Sequence, residues 1–383
     1  RLYKLEDYPL QINQDELSNI YDGYSIVETG ADRAGLQYPL ILKGFGSGDY
    51  RPPMAAWLCA LSIKLFGYSI LAGRVPSAIL GCLSILLIFF TARKIGGKLF
   101  AFFSLLIVAW SPWHILFSRM AHEGAILPGF FMILTFYLWL INREKNYKNF
   151  LPIIFLGMAT GLGANSYHGA KLIFLLFSFL LFIDLLRYRS GWIKIVLFIF
   201  SVSIGASPQI IAAELFREYF FNRAGGTTIP FSLTIDYFFT LIKNLYLNFS
   251  PYYLFRFGNY DNLSIGRLLL IELPFFYLGL ILSYDLIKKR KSFNPFYFYL
   301  LLFLAVIPAI ITIPNPHALR ASCSIVLFPM LSSFGITFCY SKLKDNYQAF
   351  FLIVVTGLIT LNGIYYTIWY TKSYELRNAG HQN

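Results

Sequence analysis

The feature that most constrains this chain is a series of long apolar runs bounded by charge. Ten can be read, at about 70 to 92, 99 to 117, 124 to 141, 150 to 167, 170 to 187, 192 to 213, 267 to 287, 296 to 313, 320 to 340 and 348 to 370. A helix needs about 20 apolar residues to cross roughly 30 Å of hydrocarbon. Ten such runs leave no room for an ordinary water-soluble core. Of the 383 residues, 57% are hydrophobic and 13% charged, about half the charged share of a typical soluble domain. The chain therefore reads as an all-α polytopic membrane protein, with about ten visible transmembrane helices joined by external loops and interfacial helices.

The net charge of +13, from 32 Lys+Arg against 19 Asp+Glu, would suggest nucleic acid in a soluble protein. In a membrane protein the placement of the positive residues matters more than their sum. They gather in alternate connections: Arg93, Lys94 and Lys98; Arg143, Lys145 and Lys148; Arg187, Arg189 and Lys194; Lys288 to Lys291; Lys342 and Lys344. The positive-inside rule makes these five loops cytoplasmic and removes the case for nucleic acid. The intervening connections, Ser111 to Glu123, Asn165 to Lys171 and Ile313 to Arg320, then face outward.

The same parity places residues 1 to about 52 outside, followed by an apolar stretch, Pro53 to Gly67, that is too short to cross and carries Lys64. It is expected to be an interfacial or re-entrant helix. Ile229 to Phe249 is apolar but contains Asp236, Lys243 and Asn244, and counting it as a span would move Lys288 to Lys291 outside. It is therefore assigned to a long external loop as an amphipathic helix. Four blocks result: a first external loop with an interfacial helix (1–67), transmembrane helices (68–213), a long external loop (214–266) and C-terminal transmembrane helices (267–383). The four cysteines, Cys59, Cys82, Cys323 and Cys339, are scattered singly without CxxC spacing and read as small core hydrophobes.

Chemistry-bearing residues concentrate in the outward connections. Asp15 and Glu16 are adjacent acids in a chain poor in acids. A carboxylate held near a membrane surface can act as general base for an acceptor hydroxyl, although acids also favour the first turn of a helix. Gly48-Asp49-Tyr50-Arg51-Pro52-Pro53 places Arg51 at the water boundary. Arginine binds phosphate bidentately; the plainer account is an interfacial arginine before a helix that starts with proline. The turn from Ser111 to Gly124 holds Trp113, His114, Arg119, His122 and Glu123. An interfacial belt explains Trp113 and His114 well and Glu123 poorly. His168 and Lys171 share one turn, and His317 and Arg320 lie three apart at an expected helix start, where free N–H groups would help bind an anion. The spacing does not match HExxH, so a divalent metal is compatible with these residues but not required by them. The sequons at Asn248 and Asn262 are chance-level signals. Acids, arginines and histidines from distant connections thus meet on one side of the membrane, the pattern of an external site for an anionic lipid.

Several segments together resemble a known family: Arg1-Leu2-Tyr3-Lys4-Leu5 to Asp15-Glu16, the Arg51-Pro52-Pro53 segment, Phe66-Gly67-Tyr68 to Ala72-Gly73-Arg74-Val75-Pro76-Ser77-Ala78, Ser111-Pro112-Trp113-His114, Ser118-Arg119, Tyr167-His168, and Pro316-His317-Ala318-Leu319-Arg320. They resemble bacterial glycosyltransferase family 39, the protein O-mannosyltransferase and aminoarabinose-transferase type with the GT-C membrane fold. The resemblance implies transfer of a hexosyl or pentosyl sugar from a polyprenyl-phosphate donor to a protein, lipid or polysaccharide acceptor. Inversion is implied, as is a site on the extracytoplasmic face of a plasma-membrane, multi-pass protein. It implies Asp15 as base with Glu16 as its neighbour and Arg51 on the lipid phosphate, while by position Arg320 with His317 complete the clamp and Glu123 orients acceptor or metal. Arg119 and His168 are further substrate-binding candidates. Members of the family carry a span immediately before the first loop, whereas this sequence opens on the loop at Arg1. Either an upstream span precedes it or the loop is less well anchored.

Two other classes share an anionic-lipid site. A transporter or flippase of lipid-linked sugars would need ionisable residues at mid-membrane, where Asp184 and Glu272 are the best candidates. A glycan ligase would differ only in its acceptor.

Overall fold

The computed structural model describes residues 1–10, 12–45, 49–216, 222–258, 265–289 and 293–381, with the backbone alone for 222–224, 286, 289 and 374–381. Each expected apolar run falls on helix. The elements are α1 (Gln14–Thr29), β1 (Leu42–Lys43), β2 (Tyr50–Arg51), α2 (Met54–Phe66), α3 (Ile70–Gly96), α4 (Lys98–Trp110), α5 (Pro112–Phe117), α6 (Ile126–Glu144), α7 (Phe150–Gly163), α8 (His168–Arg187) and α9 (Trp192–Leu215). They continue with α10 (Asn222–Thr227), α11 (Ile235–Phe249), α12 (Leu273–Lys289), α13 (Pro295–Ile310), α14 (Phe328–Lys342) and α15 (Asp345–His381). Among the described residues, six helical segments are long and apolar enough to cross a membrane, while α2, α4, α7 and α13 are shorter apolar helices. Large apolar side chains on their outer faces, such as Leu175, Phe179, Phe200 and Ile353, are exposed in the chain alone and suited to lipid.

Two expected spans are broken, for local reasons. The run 99–117 divides at Ser111, whose ψ of 123° is the extended value favoured before Pro112. The Ser111 hydroxyl then accepts the His114 N–H and restarts the chain as α5. The helix start expected at His317 is instead a turn, followed by a 3-10 helix at Ser322–Val326 and then α14.

Contacts sort the helix ends into two groups. At one end Trp139 of α6 and Tyr147 donate hydrogen bonds to Asp184 of α8 (2.7 and 2.5 Å), and Arg187 donates to the Tyr297 hydroxyl of α13 (2.7 Å). At the other end the α5–α6 turn meets the start of α8. A Cβ built on Gly124 would lie 2.9 Å from a Tyr167 ring carbon, so only glycine admits that ring. At this second end Thr228 also bridges Thr312, and Asn244 of α11 donates to the Ile310 carbonyl (2.8 Å). Asn248, the first sequon asparagine, is fully buried here, and Asn262 lies outside the described residues.

Helix α1 lies over this second end. Asn13 caps it by accepting the Asp15 N–H, and Gly30 at φ 72° ends it. Ile20 packs with Cys59, Ile63, Ala72 and Ala121, and Ile26 with Leu42, Ala56 and Ala60. Each buried isoleucine contributes about 1.5–3 kcal/mol to holding α1 down. Gly23 makes the close crossing possible, since a Cβ there would stand 2.7 Å from the Cys59 Cβ. The β1–β2 pair, with Leu42 opposite Arg51, delivers Arg51 onto α1.

Candidate functional site

The outward turn from Ser111 to Gly124 is not an open loop: every residue in it is buried. The interfacial-belt account of Trp113 and His114 fails for this reason. Trp113 lies under the Arg267 guanidinium (4.3 Å), and His114 is bonded to the Ser84 hydroxyl and to Arg1 (2.8 Å each).

What roofs the turn is α1, and the polar side chains of α1 hold it. Glu16 accepts the Ala121 N–H (3.0 Å), while Asn19 donates to the Ala121 carbonyl (3.0 Å) and to Glu123 (2.7 Å). Both backbone groups of one residue are thereby satisfied by one helix, which fixes the neighbouring His122 and Glu123. Glu16 also accepts two bonds from Arg74 (2.8 and 3.2 Å), and both side chains are wholly buried. Arg74 in turn gathers the carbonyls of Leu5, Glu6 and Pro9. Glu16 thus faces Arg74 and the turn backbone, not the position open to an acceptor. Arg119 is engaged in the same manner: its three guanidinium nitrogens donate to the carbonyls of Tyr8, Arg1 and Lys4, so its work here is to hold the N-terminal segment.

Asp15, His122 and Glu123 do come together, with one possible ligand atom from each lying within 4.8 Å of the others. His122 Nε2 is 3.4 Å from Asp15 and Nδ1 is 3.5 Å from Glu123. Only Asp15 is open to solvent, at 30% of its side chain against 2% for His122 and 4% for Glu123. Arg51, 1% exposed, lies among the acids: 3.3 Å from Asp22, 3.8 Å from Glu123, and bonded to Ser18. The structure therefore places it as the counter-charge of the carboxylates, not at an open phosphate pocket. Arg33 adds a second cation beside Asp22 (3.7 Å), whose carboxylate also accepts the Arg33 N–H (3.1 Å).

Sequence reading missed Asn19 and Asp22. The available signal was helical: Asp15, Asn19 and Asp22 recur at i, i+4 and i+7 on one face of α1.

The charges set the titration. Burial raises the Asp22 carboxyl, and the Arg33 amide with the Arg33 and Arg51 cations offsets only part of this. Burial alone would raise Glu123 too, but the charges of His122 and Arg51 outweigh it and the net shift is downward. Burial would lower His122; Glu123 and Asp15 reverse that and carry it upward from 6.5. The Gly124 N–H points at His122 Nδ1 (3.0 Å) and favours the neutral ring, but the Glu123 charge together with the hydrogen bond and charge of Asp15 outweigh it. Relative to His122→Gln, the wild-type protein is expected to show its full gain in thermal stability below pH 6.5. That gain disappears as pH rises through the raised value, and melting curves of both proteins across that range measure it. A gain that grew with pH would contradict the charged imidazole.

The same imidazole and two carboxylates form a donor set that suits a divalent cation. A cation there requires neutral His122 and so competes with the proton that the carboxylates favour.

A second group sits beyond Tyr167. A pocket of about 140 Å³ is lined by Tyr167, His168, Thr228, Thr312 and Arg320. Arg320 donates to the Pro314 carbonyl across its turn (3.1 Å), while His317, half-buried, is not part of this wall. Tyr167, which lines this pocket, also lies against Gly124, the residue after Glu123, so one ring links the pocket to the turn that carries the cluster.

Residues 50–211 match the family model for dolichyl-phosphate-mannose-protein mannosyltransferase. Over 107 residues the chain is 35% identical to an uncharacterized protein of Aquifex aeolicus (strain VF5), covering 27% of this chain and 21% of that one. Among solved structures, the chain is similar to ArnT from Cupriavidus metallidurans bound to undecaprenyl phosphate, with a TM-score of 0.54 and 13% identity over 89% of this chain and 58% of ArnT. It is also similar to the archaeal oligosaccharyltransferase AglB from Archaeoglobus fulgidus in complex with an inhibitory peptide and a dolichol-phosphate, with a TM-score of 0.55 and 15% identity over 95% of this chain and 52% of AglB. The chain thus spans about a fifth of that Aquifex protein and little more than half of either solved relative. Its fold is that of the GT-C membrane glycosyltransferases.

Proposed function

We propose that this chain of GT-C fold is an inverting glycosyltransferase that moves a sugar from a polyprenyl-phosphate carrier to an acceptor hydroxyl at the extracytoplasmic face of the plasma membrane. The observation that carries the reading is a solvent-reached carboxylate, Asp15, held by His122 beside Glu123, on a turn that the Tyr167 ring links to the pocket of His168 and Arg320. The undecaprenyl phosphate bound to ArnT and the dolichol-phosphate bound to AglB support a carrier of this class.

In this reading Asp15 accepts the acceptor proton as the hydroxyl attacks the anomeric carbon. Glu123, held by Asn19 and Arg51, orients the acceptor. His168 and Arg320 face the leaving phosphate, whose growing charge Arg320 stabilises. Attack from the face opposite the phosphate gives inversion. Where a divalent cation is bound, Asp15, His122 and Glu123 hold it, and it supplies Lewis-acid polarisation. Glu16 and Arg119 act by holding the roof in place, and Arg51 acts on the acids.

A transporter finds less support. Asp184 is occupied by Trp139 and Tyr147, while Glu272 accepts the Leu269 N–H (3.0 Å) and the Ser332 hydroxyl (2.8 Å), so both intramembrane acids are structural. The test is reconstitution in proteoliposomes with radiolabelled polyprenyl-phosphate sugars and membrane extract as acceptor source. A new glycoside is expected; label that crosses the bilayer with no glycoside formed would replace the reading with transport.

A further inference from the structure

Helix α11, in the long external loop, divides its surface into three sectors. Asn244 and Asn248 point to one side and are buried: Asn244 donates to the Ile310 carbonyl at the end of α13 (2.8 Å) and Asn248 to the Asn315 side chain (3.2 Å). Asp236, Thr240 and Lys243 form a second sector, polar and exposed. Ile235, Phe239, Ile242 and Tyr246 form the third. At roughly 100° per residue they fall within about 60° of one another. Each is between 62% and 74% exposed. Phe231 and Leu233, just before the helix, are exposed too, so the apolar surface runs past its N-terminal end.

What meets the third sector follows from the height at which α11 is held. Asn244 is tied to the last residue of α13, and the Tyr277 hydroxyl, one turn into α12, donates to the Phe249 carbonyl (2.6 Å). Both α12 and α13 lie on apolar runs that cross the bilayer, so these two bonds keep α11 where hydrocarbon gives way to headgroups. It packs on α13, whose Phe296 and Phe303 are themselves exposed, and so adds to a surface already suited to lipid. Just past α11, Tyr252 and Phe257 stack at 4.5 Å and are exposed, rings of the kind that gather at a membrane boundary. A contiguous apolar face of this extent is rare against water. The polar sector, centred about 100° around the helix from it, is the one an interfacial helix turns to headgroups and solvent.

We propose that α11 is embedded in the outer leaflet of the bilayer, with the face of Ile235, Phe239, Ile242 and Tyr246 among the acyl chains, Asp236, Thr240 and Lys243 at the headgroups, and Asn244 and Asn248 against the protein. The occupant of the apolar face is thus the lipid surface itself. Thr227 and Thr228 line the His168–Arg320 pocket, and the backbone there pairs with Ile311 and Ile313 (2.9 Å each). With α11 in the leaflet, that pocket opens at headgroup height. The embedding holds whatever the chain transfers, and its test reads position instead of activity.

The test uses the full chain in phosphatidylcholine proteoliposomes, with Cys59, Cys82, Cys323 and Cys339 replaced by alanine and one spin label at Phe239→Cys, Thr240→Cys, Ile242→Cys or Lys243→Cys. Collision rates with oxygen, which concentrates in acyl chains, and with a water-soluble nickel chelate are read for each label. Oxygen is expected to dominate at 239 and 242 and the chelate at 240 and 243, a reversal between neighbouring residues. As a second arm that keeps the native cysteines, fluorescence added by Phe239→Trp should be quenched by brominated phosphatidylcholine, and that added by Thr240→Trp by aqueous iodide. A chelate that reaches 239 as freely as 240 would overturn the proposal by placing the face in water. Spin–spin broadening at 239 that vanishes on dilution with unlabelled chain would overturn it too, by giving the face to a second copy.

Discussion

Asp15→Asn is expected to slow sugar transfer by about 10²–10⁴-fold, the usual contribution of a positioned general base. The protein should remain folded. Asp15 sits in the first turn of α1 with nearly a third of its side chain in solvent, and the capping bond at this end comes from the Asp15 backbone N–H to Asn13. What asparagine removes is proton affinity and one of the two charges beside His122, at a helix-dipole cost of about 0.3–1 kcal/mol. Transfer assays with a lipid-linked donor, run beside melting curves, separate the two effects. Transfer within a few-fold of wild type in a well-folded variant would remove Asp15 as the base and leave Glu123 as the remaining carboxylate of the cluster.

Arg74→Met is expected to have the largest effect on stability. It strands the Glu16 carboxylate with no exposure and no counter-charge, and removing one partner of such a buried pair costs about 3–5 kcal/mol. It also frees the carbonyls of Leu5, Glu6 and Pro9, so the N-terminal segment and α1 should loosen together. The measurement is the melting temperature in detergent, with limited proteolysis between residues 1 and 45. Adding Glu16→Gln to Arg74→Met should recover part of the loss, because the stranded group is then neutral. An Arg74→Met protein as stable as wild type would refute the pair's structural role.

The carboxylates these variants act on, Asp15 and Glu16, are adjacent yet do different work. Asp15 and Glu16 are neighbours in the chain, and as a pair they look like one functional unit. Once α1 forms, successive residues point roughly 100° apart around the helix. Asp15 then faces His122 and solvent, while Glu16 turns inward to Arg74 and Ala121. The partners of Glu16 lie 58 and 105 residues away and His122 lies far from Asp15 as well, so no local pattern announces them. Arg51 is a similar case: its position before two prolines marks it for notice, but only the packing of β2 on α1 shows that it meets Asp22 and Glu123.

The sequence by itself determined the membrane-spanning class, the count of apolar runs and the gathering of acids, arginines and histidines in alternate connections. These depend on local composition and on the thickness of a bilayer, which set the same requirement on every span. Only the tertiary structure decided which of the gathered residues reach solvent, as Asp15 does, and which are saturated by backbone carbonyls, as Arg119 is. Burial and hydrogen-bond satisfaction are properties of what packs against a residue, and here that neighbour usually comes from another helix far along the chain.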